Sequence, residues 1–155
     1  MNTHPIKSAL ALLALLLSLA ATVAATAATP EEEAKFVDAA KKAFDEKKPA
    51  DLSKLTCWDG VSEQAQKKDE ETFKLLMEEK DVTFSFKLVD ADPKAVAEKE
   101  QKADGAPTRP NLKIVKQLDL TMIDPRDHKR ILGIIGFAVG EKDGKLLLVR
   151  EAPAK

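Results

Sequence analysis

The chain has little of what most enzyme active sites are built from. Cys57 is its only cysteine, so no intramolecular disulfide can form and stability has to come from an ordinary apolar core. A CxxC redox or zinc motif is excluded with it, and the pairs of histidines that hold zinc are also missing. The two histidines are His4 and His128, and His4 lies in a leader-like segment, so no HExxH pattern exists. GxSxG, GxGxxG and Walker A patterns are absent, leaving no fingerprint for a serine hydrolase, a dinucleotide or a nucleotide triphosphate. Tyrosine is absent, and the aromatic set is six Phe and one Trp. No cofactor or metal is implied.

Charge is plentiful but balanced. The chain carries 25 Lys plus Arg against 26 Asp plus Glu. This interspersed pattern lacks the clustered positive field that nucleic acid or a strongly anionic membrane requires.

What is present begins at the N-terminus. Lys7 precedes a Leu-dense run from Leu10 to Leu19, followed by small residues ending in Ala25-Thr26-Ala27. This order of charged, apolar and small residues is that of a secretory signal peptide, with an A-x-A site cut after Ala27. The expected organisation is therefore a signal peptide over 1–27 and one α+β domain over 28–155, exported to the periplasm or the extracellular space. Retention of the segment as a membrane tether is the alternative, because apolar and small residues run from Ala9 to Ala28, near the ~20 needed to span a bilayer. After cleavage, no integral membrane segment is expected. Cys57 is too far from any cut to be a lipid-modified terminus and reads as a small buried hydrophobe beside Trp58.

Past the leader, Thr29-Pro30-Glu31-Glu32 has the form of a capping box with Pro at the first helical position. Phe36, Val37, Ala40, Ala43 and Phe44 follow at helical spacing, which predicts a helix from Pro30 to about Lys47. Asp51 is expected to cap a short second helix carrying Leu52 and Leu55, with Gly60 ending the turn after it. Ser62 caps a third helix in which Ala65, Thr72, Phe73 and Leu76 form the apolar stripe.

After Lys80 the period drops to two. Val82, Phe84, Phe86 and Leu88 alternate with polar residues, predicting an antiparallel strand. Asp92-Pro93 starts a short helix through about Lys102, with a loop from Gly105 to Pro110. Strands are expected over Asn111–Ile123, interrupted at Lys116, over Arg130–Gly140 and over Lys145–Arg150. They are joined by turns at Asp124–Asp127 and Glu141–Gly144. Ile131, Ile135, Phe137 and Val139 should share one face of the middle strand, and Leu132, Ile134, Gly136, Ala138 and Gly140 the other. Glu151 to Lys155 reads as a frayed end.

The expected fold is three N-terminal helices packed on a curved antiparallel sheet of about four strands. Helices over Thr29–Lys47, Asp51–Trp58 and Ser62–Lys80, followed by strands from Val82 onward, resemble the cone-shaped layout of nuclear-transport-factor-like proteins and the related cystatin-like layout. Members of that fold commonly place a strand between the early helices, which is not visible here before Lys80. The resemblance implies a cone used either as a small-molecule pocket with Asp or His acid–base chemistry, or as a dimerising and partner-binding platform.

Within that frame, Asp119 and His128 are the candidate acid–base residues. Trp58, Gly136 and Ala138 are the candidate ligand contacts, since the Gly136 to Gly140 face has shed side-chain bulk and something lies close to it. Helix packing and room for a ligand are the two readings of that face. A non-catalytic module binding an unidentified protein or small molecule, with a homodimer among its arrangements, is the leading functional expectation. A cone-pocket lyase or isomerase is the second.

Overall fold

The computed structural model describes residues 28–97 and 108–153. The leader segment, the expected helix beyond residue 97, the loop up to residue 107 and the last two residues lie outside it.

Helix α1 (Pro30–Asp45) forms where its local signals put it. The Thr29 hydroxyl accepts from Glu32 N at 3.3 Å and the Glu32 carboxylate accepts from Thr29 N at 2.7 Å, closing the capping box. The bond from Thr29 N, with the Thr29 side chain second, holds the Glu32 carboxyl below its ordinary range. The helix stops two residues before Lys47, because Lys47 turns left-handed at φ 51°. Lys47 N then donates to Phe44 O and Lys48 N to Ala43 O, a Schellman closure with lysine where glycine is usual.

Pro49 at the first helical position starts α2 (Pro49–Lys54), so Asp51 sits inside the first turn rather than capping it. Ser62 does cap α3 (Glu63–Glu78), accepting from Ala65 N. The buried face of α3 is Phe73 and Met77, with Leu76 partly buried beside them.

The main sheet has the order β1 (Thr83–Asp90), β3 (Ile114–Asp124), β4 (Asp127–Lys142) and β5 (Lys145–Leu148), every pairing antiparallel. It curls into a half-barrel with the helices packed against it, an α+β cone-like layout. Phe44 of α1 meets Phe84 and Phe86 edge-on at centroid distances of 5.2 and 5.1 Å. Phe73 of α3 meets Phe137 at 6.3 Å. Leu118, Leu120, Val139, Leu146 and Leu148 complete the buried face of the sheet. The interruption at Lys116 has a use: its ammonium lies 3.0 Å from Glu33 of α1 and 2.7 Å from Asp90 of β1, which ties the helix to the rim.

Several expectations are corrected. Strand β4 is longer at both ends than Arg130–Gly140, because its turns are tighter than expected. Pro125 and Arg126 alone separate it from β3, and Asp143-Gly144, both at positive φ (53° and 73°), form a type I′ turn into β5. Residues 151–153 are not frayed: as β6 (Glu151–Pro153) they pair with β2 (Thr108–Pro110), part of the expected loop. Strand β3 begins at Ile114 rather than Asn111, because Asn111 is engaged elsewhere. Its amide donates to Cys57 O at 2.7 Å, and it exchanges backbone and side-chain bonds with Arg150. Between the early helices, Thr56 makes a one-residue parallel bridge to Leu148.

Candidate interaction surface

The sequence candidates fall on three separate places. Asp119 lies on the sheet face opposite Leu118 and Leu120, in register with Lys87 of β1 and Gly136 of β4. It is half-buried, and its carboxylate accepts from Gln117 Nε2 at 2.6 Å. That same Gln117 side chain occupies the space a Gly136 side chain would need, 2.7 Å from the position of a Cβ. Ala138 is the cross-strand partner of Gln117. At Gly140, a Cβ would lie 2.7 Å from Leu112 Cβ and 2.8 Å from Lys113 O. The face is therefore stripped of bulk because Gln117 and the 112–113 segment lie on it, and no helix supplies those contacts.

His128 is exposed near the start of β4. Eight strand residues separate it from Gly136, the partner of Asp119, or about 25 Å at the usual rise. The structure does not bring the two candidates together. Trp58 sits in the α2–α3 connection, half-buried, with its indole N–H donating to Ser53 O at 2.9 Å. Beside it, Cys57 is buried with a free thiol.

The distinctive region is the distal end of the β3–β4 hairpin. Strand β5 covers only Val139–Lys142 of β4, and Val149 N reaches Ala138 O just beyond. Among the described residues, no strand pairs with that edge of β4 from Asp127 to Phe137. The same stretch carries Ile131, Leu132 and Ile134, exposed by 59, 45 and 59 %. Ile134, opposite Thr121, is on the outer face in regular register, whereas Ile131 is put there by a break: Met122 faces Gly133, but Ile123 faces Ile131, so one residue of β4 is extra. Ile131, expected on the buried side with Ile135 and Phe137, leaves the core there.

Basic side chains flank this apolar step. The Asp124 carboxylate, 5 % exposed as a residue, accepts from Arg126 N at 2.9 Å and Arg126 Nε at 3.3 Å, with Arg130 Nη1 at 3.9 Å. The bond from Arg126 N, then its guanidinium, holds the Asp124 carboxyl below its usual range. Asp127, by contrast, is exposed and accepts from Lys129 N. The exposed charges of the tip are Arg126, Lys129 and Arg130 against the single carboxylate of Asp127.

Sequence reasoning missed Asp124, Gln117, Asn111 and Arg150. The guanidinium of Arg150 lies 5.1 Å over the Phe73 ring, with Nε 3.1 Å from Asp69 in an ion pair. Burial pushes its pKa down and Asp69 opposes that. Only Asp124 carried a local signal, an Asx-type turn before Pro125.

Among the described residues, no group of three or more His, Cys, Asp or Glu is placed to hold a metal ion, and no helix is long and apolar enough to cross a membrane. No protein-family model, curated protein or solved structure matches this chain.

Proposed function

We propose that the chain is an exported, non-catalytic interaction module that binds an extended partner segment along the distal half of β4. The observation that carries this is the coincidence of an unpaired strand edge with three exposed aliphatic side chains at Ile131, Leu132 and Ile134. An edge of this kind is a template for another strand, and proteins usually blunt it with charge or cover it. The opposite edge strand, β1, shows that precaution: Thr83, Ser85, Lys87 and Asp90 are its exposed residues. Strand addition takes affinity from backbone hydrogen bonds and specificity from alternate side chains.

Charge selects the occupant. With Asp124 buried, Arg126, Lys129 and Arg130 outnumber the exposed Asp127 and favour a segment in which aliphatic residues alternate with acidic ones. Two-fold pairing of a second copy would bring two basic tips together, which disfavours the homodimer at this edge. The positions of Asp119 and His128 support binding over acid–base chemistry, since one is hydrogen-bonded to Gln117 and the other is exposed about 25 Å away. The finer resemblance to nuclear-transport-factor-like and cystatin-like proteins supports the same reading through the partner-platform use of that layout. The leader over residues 1–27 supports export.

A synthetic peptide alternating valine with glutamate tests the proposal by fluorescence anisotropy. Saturable binding that weakens with salt and is lost in Ile134→Lys is the expected result. Equal binding by the valine–lysine counterpart would overturn it, as would a concentration-dependent doubling of mass that Ile134→Lys abolishes.

A further inference from the structure

At the other end of β4, Ala28 N donates to the Glu141 carboxylate at 3.1 Å, across 113 residues of sequence, in a partly buried contact. Ala28 is also packed against the hydrophobic core, and Glu141 stands on β4 opposite Leu146 of β5. This is the residue immediately after the A-x-A site read at Ala25-Thr26-Ala27.

We infer that removal of residues 1–27 creates a structural ion pair: the new α-ammonium of Ala28 is received by Glu141, so that processing itself locks α1 onto the β4–β5 hairpin. This rests on the export part of the reading above and is independent of the partner surface. Hydrolysis of the Ala27–Ala28 peptide bond by a signal peptidase consumes one water. It leaves a carboxylate on the departing segment and a protonated amine on Ala28. Before the cut, Glu141 accepts from a neutral amide; afterwards it accepts from a cation, and charge-assisted bonds of this kind are about twice as strong as neutral ones. The first turn of α1 holds Glu31, Glu32 and Glu33, of which Glu31 is matched by Lys35 and Glu33 by Lys116. The α-ammonium adds a positive charge near Glu32.

The test starts from the full-length precursor, exported and purified from its compartment. Intact mass should correspond to a chain beginning at Ala28; any other terminus overturns the inference together with the assigned cut. In a second precursor, one glycine inserted after Ala27 moves the charge one residue outward while keeping an amide at Ala28. The native product should have a folding equilibrium constant about five-fold larger than the extended one, and Glu141→Gln should erase the difference. Equal stability of the two products, or a difference that persists in Glu141→Gln, overturns the ion pair and leaves the processing reading standing. Zero-length carbodiimide coupling gives a readout free of folding differences. It should join the Ala28 amine to Glu141 in the native product; absence of that link counts against the inference.

Discussion

The two halves of β4 share one strand and one alternating sequence, yet they face opposite fates. From Val139 to Lys142 the strand lies between β3 and β5, with Val139 buried completely and Phe137 just before it packed against Phe73. From Asp127 to Phe137, among the described residues, it has β3 alone, and Ile131, Leu132 and Ile134 stand in solvent. Aliphatic content alone does not separate them, since Ile131, Leu132 and Ile134 in one half are matched by Ile135, Ala138 and Val139 in the other. Neighbours do: the same residue types form a core where a third strand and a helix arrive, and an open edge where neither does. Apolar residues on a strand state a capacity for burial, and the fold decides whether the protein or a partner meets it.

The largest expected effects lie at the base. Leu118→Ala or Leu120→Ala should cost about 2–5 kcal/mol in chemical denaturation, because each leaves a cavity in a fully buried site. Ile131→Ala and Ile134→Ala should change stability by less than about 0.5 kcal/mol, while removing the peptide binding proposed for the tip. Comparable losses at both ends would break the distinction between the halves.

The glycines sharpen it at smaller scale. Gly140→Ala drives a Cβ into Leu112 and the Lys113 carbonyl, and overpacking against backbone should cost about 1–3 kcal/mol. Gly136→Ala meets only the end of the Gln117 side chain, which can swing away, so its effect should be small and accompanied by loss of the Gln117–Asp119 bond. Denaturation of the two variants side by side measures the difference.

The tip should also be acid-sensitive. Asp124 has a depressed pKa in the folded protein, so the stability it contributes is present above the unfolded value of about 3.9 and is lost as pH falls through the lower folded value. Asp124→Asn should remove that part of the acid dependence, read by hydrogen exchange at the hairpin tip against an unchanged base. Smallest of all, Lys47→Gly should raise stability by about 0.5–1 kcal/mol through relief of the left-handed turn closing α1.

These contrasts match what could be read in advance. Thr29, Pro30 and Glu32, Ser62, and Asp143-Gly144 encode their structure within four residues, so the starts of α1 and α3 and a hairpin connection ending at Gly144 were legible. The α+β class and the three-helix, four-strand order followed from the change of period at Lys80. The pairing of residues 108–110 with 151–153, the Thr56 bridge to Leu148 and the reach of Asn111 to Cys57 join segments tens of residues apart, and no local pattern marks them. The register break at Ile131 was hidden for a related reason. Alternation along one strand fixes its faces only while the partner keeps step, and the extra residue shows only against β3. Of the functional candidates, Gly136 was correctly singled out as a place of close approach. That the approaching group is Gln117 depends on cross-strand register, which sequence alone does not fix.

The most direct test of the central claim is amide hydrogen exchange of the mature protein with and without the valine–glutamate peptide. The account predicts new protection confined to β4 between Lys129 and Ile134, on alternate amides aimed at the free edge, with Ile135 to Lys142 unchanged. Protection on β1 or around Asp119 and Gln117 instead, or none along the β4 tip at saturating peptide, would contradict it.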